Sequence, residues 1–442
     1  MLVADKTSAA ISWPLVAFEK VAIAQSDRGQ RLKQRDYLAE GSIPVIDQGQ
    51  ALVGGYTDDE NASFVGDLPV VLFGDHTRAV KLIHHRFAVG ADGIKIFRPA
   101  EGVRAKYLYY WMKSARIPDR GYGRHYQYLR ALSVPLPPEA HQDEIVAELE
   151  KQFSRLDEAV ANLQRVKANL KRYKASVLKD AVEGRLVPTE TELARREGRS
   201  FKTGEQLLQQ ILETRRKEWK GKGKYKEPIS PITANLPPLP DGWMWSTMPQ
   251  LGELNRGKSK HRPRDDAALY GGPYPFIQTG DVRRSDGSIT AHSQTYSEFG
   301  LKQSRFWPIG TLCITIAANI AETGILKLEA CFPDSVVGFV SDQGYPTTEY
   351  VEFFIRTARA GLDRFASATA QKNINLEVLE SVAVPTPPLG EQQRLVAEVD
   401  RRLSLIRGVE AEVDANLNRA NSLRQAVLMK CFRIEKDREP KG

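Results

Sequence analysis

Val134-Pro135-Leu136-Pro137-Pro138-Glu139-Ala140-His141-Gln142-Asp143-Glu144-Ile145-Val146-Ala147-Glu148-Leu149 returns 250 residues later as Val384-Pro385-Thr386-Pro387-Pro388-Leu389-Gly390-Glu391-Gln392-Gln393-Arg394-Leu395-Val396-Ala397-Glu398-Val399. Eight positions are identical: the Val, the three prolines, the Gln and the Val-Ala-Glu. An internal duplication constrains architecture before any local pattern does. The prolines cannot sit inside a helix but suit an extended strap and a first helical turn. No proline follows between Glu139 and Val187, or between Leu389 and Arg433. Each segment therefore predicts one helix of roughly 40 residues, on the order of 60 Å.

A heptad pattern runs along both segments. Leu149, Leu156, Leu163, Leu170 and Val177 recur as Val399, Ile406, Val413, Ala420 and Val427. A companion row, Ile145, Gln152, Ala159, Val166 and Tyr173, recurs as Leu395, Arg402, Val409, Asn416 and Leu423. Four-and-three spacing predicts a coiled-coil seam, with polar Gln152, Arg402 and Asn416 fixing register and orientation at some cost in stability. Gly184 and Pro188 supply the stop of the first helix.

Upstream of each helix the likeness continues with a drifting offset. Trp13 matches Trp243, Pro44 matches Pro275, Asp92 matches Asp334 and Tyr107 matches Tyr350. Loops absorb insertions cheaply, whereas a helix seam must hold register. Residues 70–73, 93–97 and 311–316 read as strands, and 106–116 and 349–359 as aromatic-rich amphipathic helices. The class is α+β: two globular mixed units joined by two long antiparallel coiled-coil helices, a pseudo-two-fold repeat. The division is 1–138, first unit; 139–187, first spacer helix; 188–241, linker; 242–388, second unit; 389–434, second spacer helix; 435–442, charged tail. The linker holds a helix over 204–220, a basic run over 215–226 and a proline strap over 228–240. That run reads as a solvated tether or as a phosphate-contacting arm.

The 442-residue chain carries 63 Lys and Arg against 55 Asp and Glu, for +8 and a pI near 9.2. This modest excess permits a polyanionic partner without requiring one. Cys313, Cys331 and Cys431 have no CxxC spacing, so a disulfide framework or zinc cage is not expected and a reducing cytoplasm is. No apolar run suits a signal peptide or a membrane span. Catalytic signatures are missing as well: no phosphate loop, no GxGxxG after a strand, no HExxH among seven histidines, no amino-group methylation motif. The chain is expected to bind no cofactor or metal and to perform no bond chemistry alone.

Polar and basic loop clusters remain. In the first unit they are Gln48, Asp75-His76-Thr77-Arg78, and Tyr122 with Arg124-His125-Tyr126. In the second they are Arg256, Lys258, Lys260 and Arg262, then Gln278, Thr279 and Arg283, then Asn319, and Gln371-Lys372-Asn373. Arg pairs bidentately with guanine, Asn and Gln pair with adenine, and Lys holds phosphates. Any one cluster taken singly reads more readily as a solvated loop, and His76 or His125 alone as a structural hydrogen-bonder. Their recurrence on duplicated units favours double-stranded DNA for the set.

This order of parts resembles the DNA-specificity subunit of a type I restriction–modification system. The resemblance covers nearly the whole chain. It rests on Pro137-Pro138 with Gln142, Pro387-Pro388 with Gln392, Ala175-Ser176-Val177-Leu178 through Glu183-Gly184-Arg185-Leu186, Leu207-Leu208, and Leu239-Pro240-Asp241-Gly242-Trp243. It implies two target recognition domains, each reading half of a split, asymmetric DNA target. It also implies helices that set the spacing and dock two methyltransferase subunits. Those partners would supply S-adenosylmethionine and the adenine-methylating site, and a motor-nuclease subunit would join for cleavage. The alternative is a coiled-coil scaffold that self-associates without DNA specificity.

Overall fold

Proline-rich straps leave carbonyls that no backbone N–H of their own turn can reach, so a side chain must supply the donor. The computed structural model describes residues 13–27, 29–90, 93–121, 123–221, 223–317, 321–342, 347–368 and 376–432. It places Gln142, fully buried, on this task. Its Nε2 donates to the Pro137 and Gly102 carbonyls, both at 2.9 Å, and its Oε1 accepts the Arg104 N–H at 2.8 Å. Gln392 repeats the role, donating to the Pro387 carbonyl at 2.9 Å and accepting the Thr347 hydroxyl at 2.7 Å.

The rest of the strap is duplicated too. Leu15–Ala17 pairs antiparallel with Ser133–Pro135, and Met244–Thr247 with Ala383–Thr386. Buried Tyr107 donates its hydroxyl to the Pro135 carbonyl, and buried Tyr350 to that of Pro385. Burial pushes both phenols above the ordinary tyrosine range. At the first turn of each long helix a tryptophan closes the strap. Trp13 packs on the His141 ring, whereas Trp243 donates from Nε1 to Glu391 at 3.0 Å.

The chain divides into two compact units, Met1–Arg165 with Val413–Gly442, and Val166–Glu412. The first holds an antiparallel sheet ordered Ala22–Gln25, Ile94–Pro99, Val70–Gly74, Val80–Ile83. A second sheet runs Arg31–Leu32, Ala88–Gly90, Ile43–Ile46, Gly55–Thr57. The helix Ala105–Ser114 buries Tyr107, Leu108, Trp111 and Met112 in the core with Phe18 and Phe97. The second unit centres on a five-stranded sheet ordered Gly252–Arg256, Val336–Ser341, Leu312–Thr315, Thr323–Leu326, Gly287–Ile289. Against it lies Thr347–Ala368, twice as long as its counterpart and longer than the expected 349–359.

The long helices are Glu139–Val182 and Leu389–Cys431, of 44 and 43 residues. Each runs through both units, and within each unit the two are antiparallel. The first unit joins Val146, Leu149 and Phe153 to Leu428 and Phe432. The second joins Val177, Leu178 and Ala181 to Leu395, Val396 and Val399. Between the helices lie Glu190–Glu197 and Gly204–Glu218, each started by a threonine capping box. Buried Glu190 ties this linker to the second long helix through Arg394, at 2.6 Å, with Arg199 on its other oxygen.

The expected seam is half correct. Every member of the row from Leu149 to Val177, and from Val399 to Val427, is buried or half-buried. In the companion row Ala159, Val166, Tyr173, Val409 and Leu423 are exposed. Two straight helices drift off a seven-residue repeat, so one row faces the partner and the other is covered only where a globular unit reaches it. Gln152 and Asn416 bond within their own helices, to Glu148 and Arg419. Arg402 pairs with Glu398 and also reaches Tyr173 on the first helix, the cross-helix contact expected of a register-setting residue.

Gln142→Ala should strand two buried carbonyls and an N–H, and Gln392→Ala a carbonyl and a hydroxyl. Each is expected to cost about 1–3 kcal/mol, read as a lower denaturant midpoint. An unchanged midpoint would remove the glutamines from this structural role.

Candidate nucleic-acid interface

In the first unit, the strand Val70–Gly74 delivers the turn Asp75 to Arg78 beside the loop that follows Ile43–Ile46. The Thr77 hydroxyl donates to the Gln48 carbonyl, and Gln48 Oε1 accepts the His76 N–H at 3.3 Å. Gln48, His76 and Thr77 are thus brought together, half-exposed, on one loop pair. Arg78 adopts a left-handed φ of 59° and spends its guanidinium on Asp119, at 2.7 Å, and on the Ile117 carbonyl. That carboxyl is held below the usual range, first by the Gly121 N–H and then by Arg78.

Two expected readers turn inward. Asp75 is 5% exposed, and its carboxylate accepts the Tyr126 N–H at 2.7 Å. His125 is 1% exposed, and its Nε2 accepts the Arg120 N–H at 3.3 Å. Nε2 is therefore unprotonated, and Nδ1 donates to the Asp75 carbonyl at 2.9 Å. This corrects the sequence reading. Together they tie Arg120 and Tyr126 to the turn at Asp75, because buried polar groups must be paired. What they present is Arg124, exposed, and the half-exposed Tyr126 ring beneath Lys95, 5.5 Å from its centroid. Lys95 was not legible as a site residue. Nor was buried Lys81, whose ammonium donates to the Asp47 carbonyl at 2.7 Å; burial lowers its pKa and Asp47 opposes that.

In the second unit a basic loop leaves the strand Gly252–Arg256. A Cβ at Gly257 would lie 2.3 Å from the Phe332 carbonyl oxygen, so only glycine lets the loop hug the sheet. Gln303 Oε1 accepts the N–H groups of Lys260 and His261, and the Ser304 hydroxyl holds the Lys258 carbonyl at 2.8 Å. His261 bonds Asp266 at 2.7 Å, a carboxyl already lowered by the Ala268 N–H. Arg262 turns back onto the Ser259 and His261 carbonyls. Arg256, Lys258 and Lys260 remain exposed with their charged heads outward.

Around this loop stand aromatics that the sequence reading missed. Phe299 is 46% exposed and meets His261 edge-on, and half-covered Phe306 meets Tyr274 the same way. Their signal was the strap-free stretch after Tyr296, which has no repeat to mark it. Gln278 bonds Gln294, in the same short strand whose Tyr296 meets Ser259 of the basic loop. Half-exposed Thr279 opens the short helix after it. Arg283 departs from the set and lines a cleft against the first long helix. Tyr122, Asn319, Gln371, Lys372 and Asn373 lie outside the described residues. Among the described residues no group of three or more His, Cys, Asp or Glu could hold a metal, and no helix is long and apolar enough to cross a membrane.

Residues 240–414, the second unit with the start of the second long helix, match the family described as type I restriction modification DNA specificity domain. The chain is 25% identical over 276 residues to the type I restriction enzyme EcoAI specificity subunit of Escherichia coli, spanning 57% of this chain and 42% of that one. It is 23% identical over 352 residues to the EcoDI specificity subunit of Escherichia coli, spanning 75% and 70%. The family match thus covers the second unit and the start of the second long helix. A solved structure described under complex assembly and conformational transition of the type I R-M system shares the fold, with a TM-score of 0.62 and 17% identity over 96% of this chain and 99% of that one.

The two kinds of site residue should separate experimentally. His125→Ala is expected to lower the unfolding midpoint, by about 1–3 kcal/mol, by orphaning buried partners. Arg124→Ala should leave the midpoint unchanged and weaken duplex binding. A stable His125→Ala protein would return that residue to the reading surface.

Proposed function

We propose that the chain is the non-catalytic DNA-recognition subunit of a type I complex, each unit reading one half of a bipartite, asymmetric target. The observation that carries this is the contrast between an identical frame and divergent loops. Gln142 and Gln392, Tyr107 and Tyr350 hold both units in the same way. The loops on that frame share nothing. The first presents Gln48, His76, Thr77 and Arg124, and the second a lysine–arginine loop flanked by Phe299 and Phe306. Different loops on one frame suit two different half-sites. Lys and Arg contacts to phosphates would position the protein, and the polar side chains would read base edges.

The long helices would set the distance between half-sites and seat two methyltransferase subunits. Exposed Val166, Tyr173, Leu405 and Val409 supply apolar surface for such seats. S-adenosylmethionine and the flipped adenine would be held by those partners, and a motor-nuclease subunit would add cleavage, all in the cytoplasm. The same exposed residues would also serve a self-associating scaffold, and the mass of the chain with and without its partner separates the two. A monomer that takes up two partners fits recognition; a stable dimer indifferent to them does not.

Co-expression with a methyltransferase partner should yield adenine methylation at a split, asymmetric motif across the host genome. Exchanging residues 1–138 should change one half of that motif and leave the other. Methylation by the chain alone, or a motif altered in both halves, would overturn the assignment.

A further inference from the structure

The first long helix carries a charge pattern that its repeat lacks. Residues 164–179 contain Arg165, Lys167, Lys171, Arg172, Lys174 and Lys179 and no acid. The matched stretch 414–429 contains Arg419, Arg424 and one acid, Asp414. Its Arg424 is already spent on Asp157 and on the face of Phe153. All of the cations of 164–179 but Arg165 sit inside the second unit, where the helix borders a cleft of about 700 Å³ closed on the other side by Thr347–Ala368.

Most charges inside the cleft are paired. Lys174 pairs with Asp286 at 2.8 Å, Arg356 joins Asp286 to buried Glu352, and Arg359 pairs with Glu322 at 2.9 Å. These three cations thus meet three carboxylates, and Arg283 adds a further cation to the lining. At the rim, Lys171 and Lys179 are exposed, and neither enters an ion pair with a described residue. Glu183, the acid beside them, is turned onto Arg185. An acidic peptide entering the cleft would meet Asp286 and Glu322 and find their cations taken. A polyanion crossing the rim would meet two bare ammonium groups.

We infer that this rim of the first long helix, centred on Lys171 and Lys179, is a sequence-independent contact for the DNA phosphate backbone beside the half-site of the second unit. The inference rests on the DNA-recognition reading above. Eight helical residues separate the two lysines by about 12 Å, which spans roughly three to four phosphates of one strand. Because the repeat does not reproduce the rim, the contact occurs once per chain. The complex would then grip one flank of its target more tightly than the other. Such a contact positions the duplex and leaves the motif unchanged.

The test uses the full chain and a labelled random-sequence duplex of about 40 base pairs, with affinity measured across a range of salt. The double variant Lys171→Gln/Lys179→Gln should reduce the steepness of log affinity against log salt by about two. Arg195→Gln/Arg196→Gln removes the same charge from exposed positions of the linker helix and should leave the slope unchanged. A Lys171/Lys179 variant with the wild-type slope, or a control that loses as much, overturns the proposal. So does a variant that keeps its slope but no longer retains a methyltransferase partner, which would make the rim a protein contact. A wild-type chain that binds DNA without salt dependence would instead sink the DNA reading itself, and the rim contact with it.

Discussion

A glutamine at the start of each long helix holds this fold together. Gln142 and Gln392 each donate an amide to one carbonyl of the proline strap, that of Pro137 or Pro387, and each accepts a donor from the helix that begins near Tyr107 or Tyr350. One side chain thereby couples three elements: strap, core helix and spacer helix. Loops elsewhere can change freely as long as this junction survives. That explains why the strap and the spacer keep an exact 250-residue offset while the globular units drift.

The spacer helices follow a simpler constraint. One heptad row is covered along its whole length, from Leu149 to Val177 and from Val399 to Val427. The other leaves Val166, Tyr173, Val409 and Leu423 in solvent. Burying such side chains is worth about 1.5–3 kcal/mol each, so the row offers apolar surface for the partners proposed above. Charge is distributed just as unevenly, with the basic stretch on the first helix alone.

Much of this was legible because duplication makes a signal visible twice. Pro137, Gln142 and Tyr107 stand out only because Pro387, Gln392 and Tyr350 stand in the same order. The loops were harder. Asp75 and His125 carry the chemistry of readers, yet they face inward, since only tertiary packing decides which polar side chains are needed to pair a buried loop. Phe299 and Phe306 have no repeat partner, so nothing in the chain marks them. The cleft charges were illegible for another reason. Lys174, Arg356 and Arg359 read as basic in sequence, but their neutralising partners Asp286, Glu352 and Glu322 come from other elements.

In the proposed function the long helices set the distance between half-sites, and their length can be changed without touching either set of loops. Inserting one heptad into each long helix, at matched positions, would lengthen the spacer by about 10 Å, equivalent to roughly three base pairs. Adenine-methylation mapping of that variant, assembled with its partners, should give both half-sites unchanged and the gap between them longer by about three base pairs. An unchanged gap, or altered half-sites, would contradict the account.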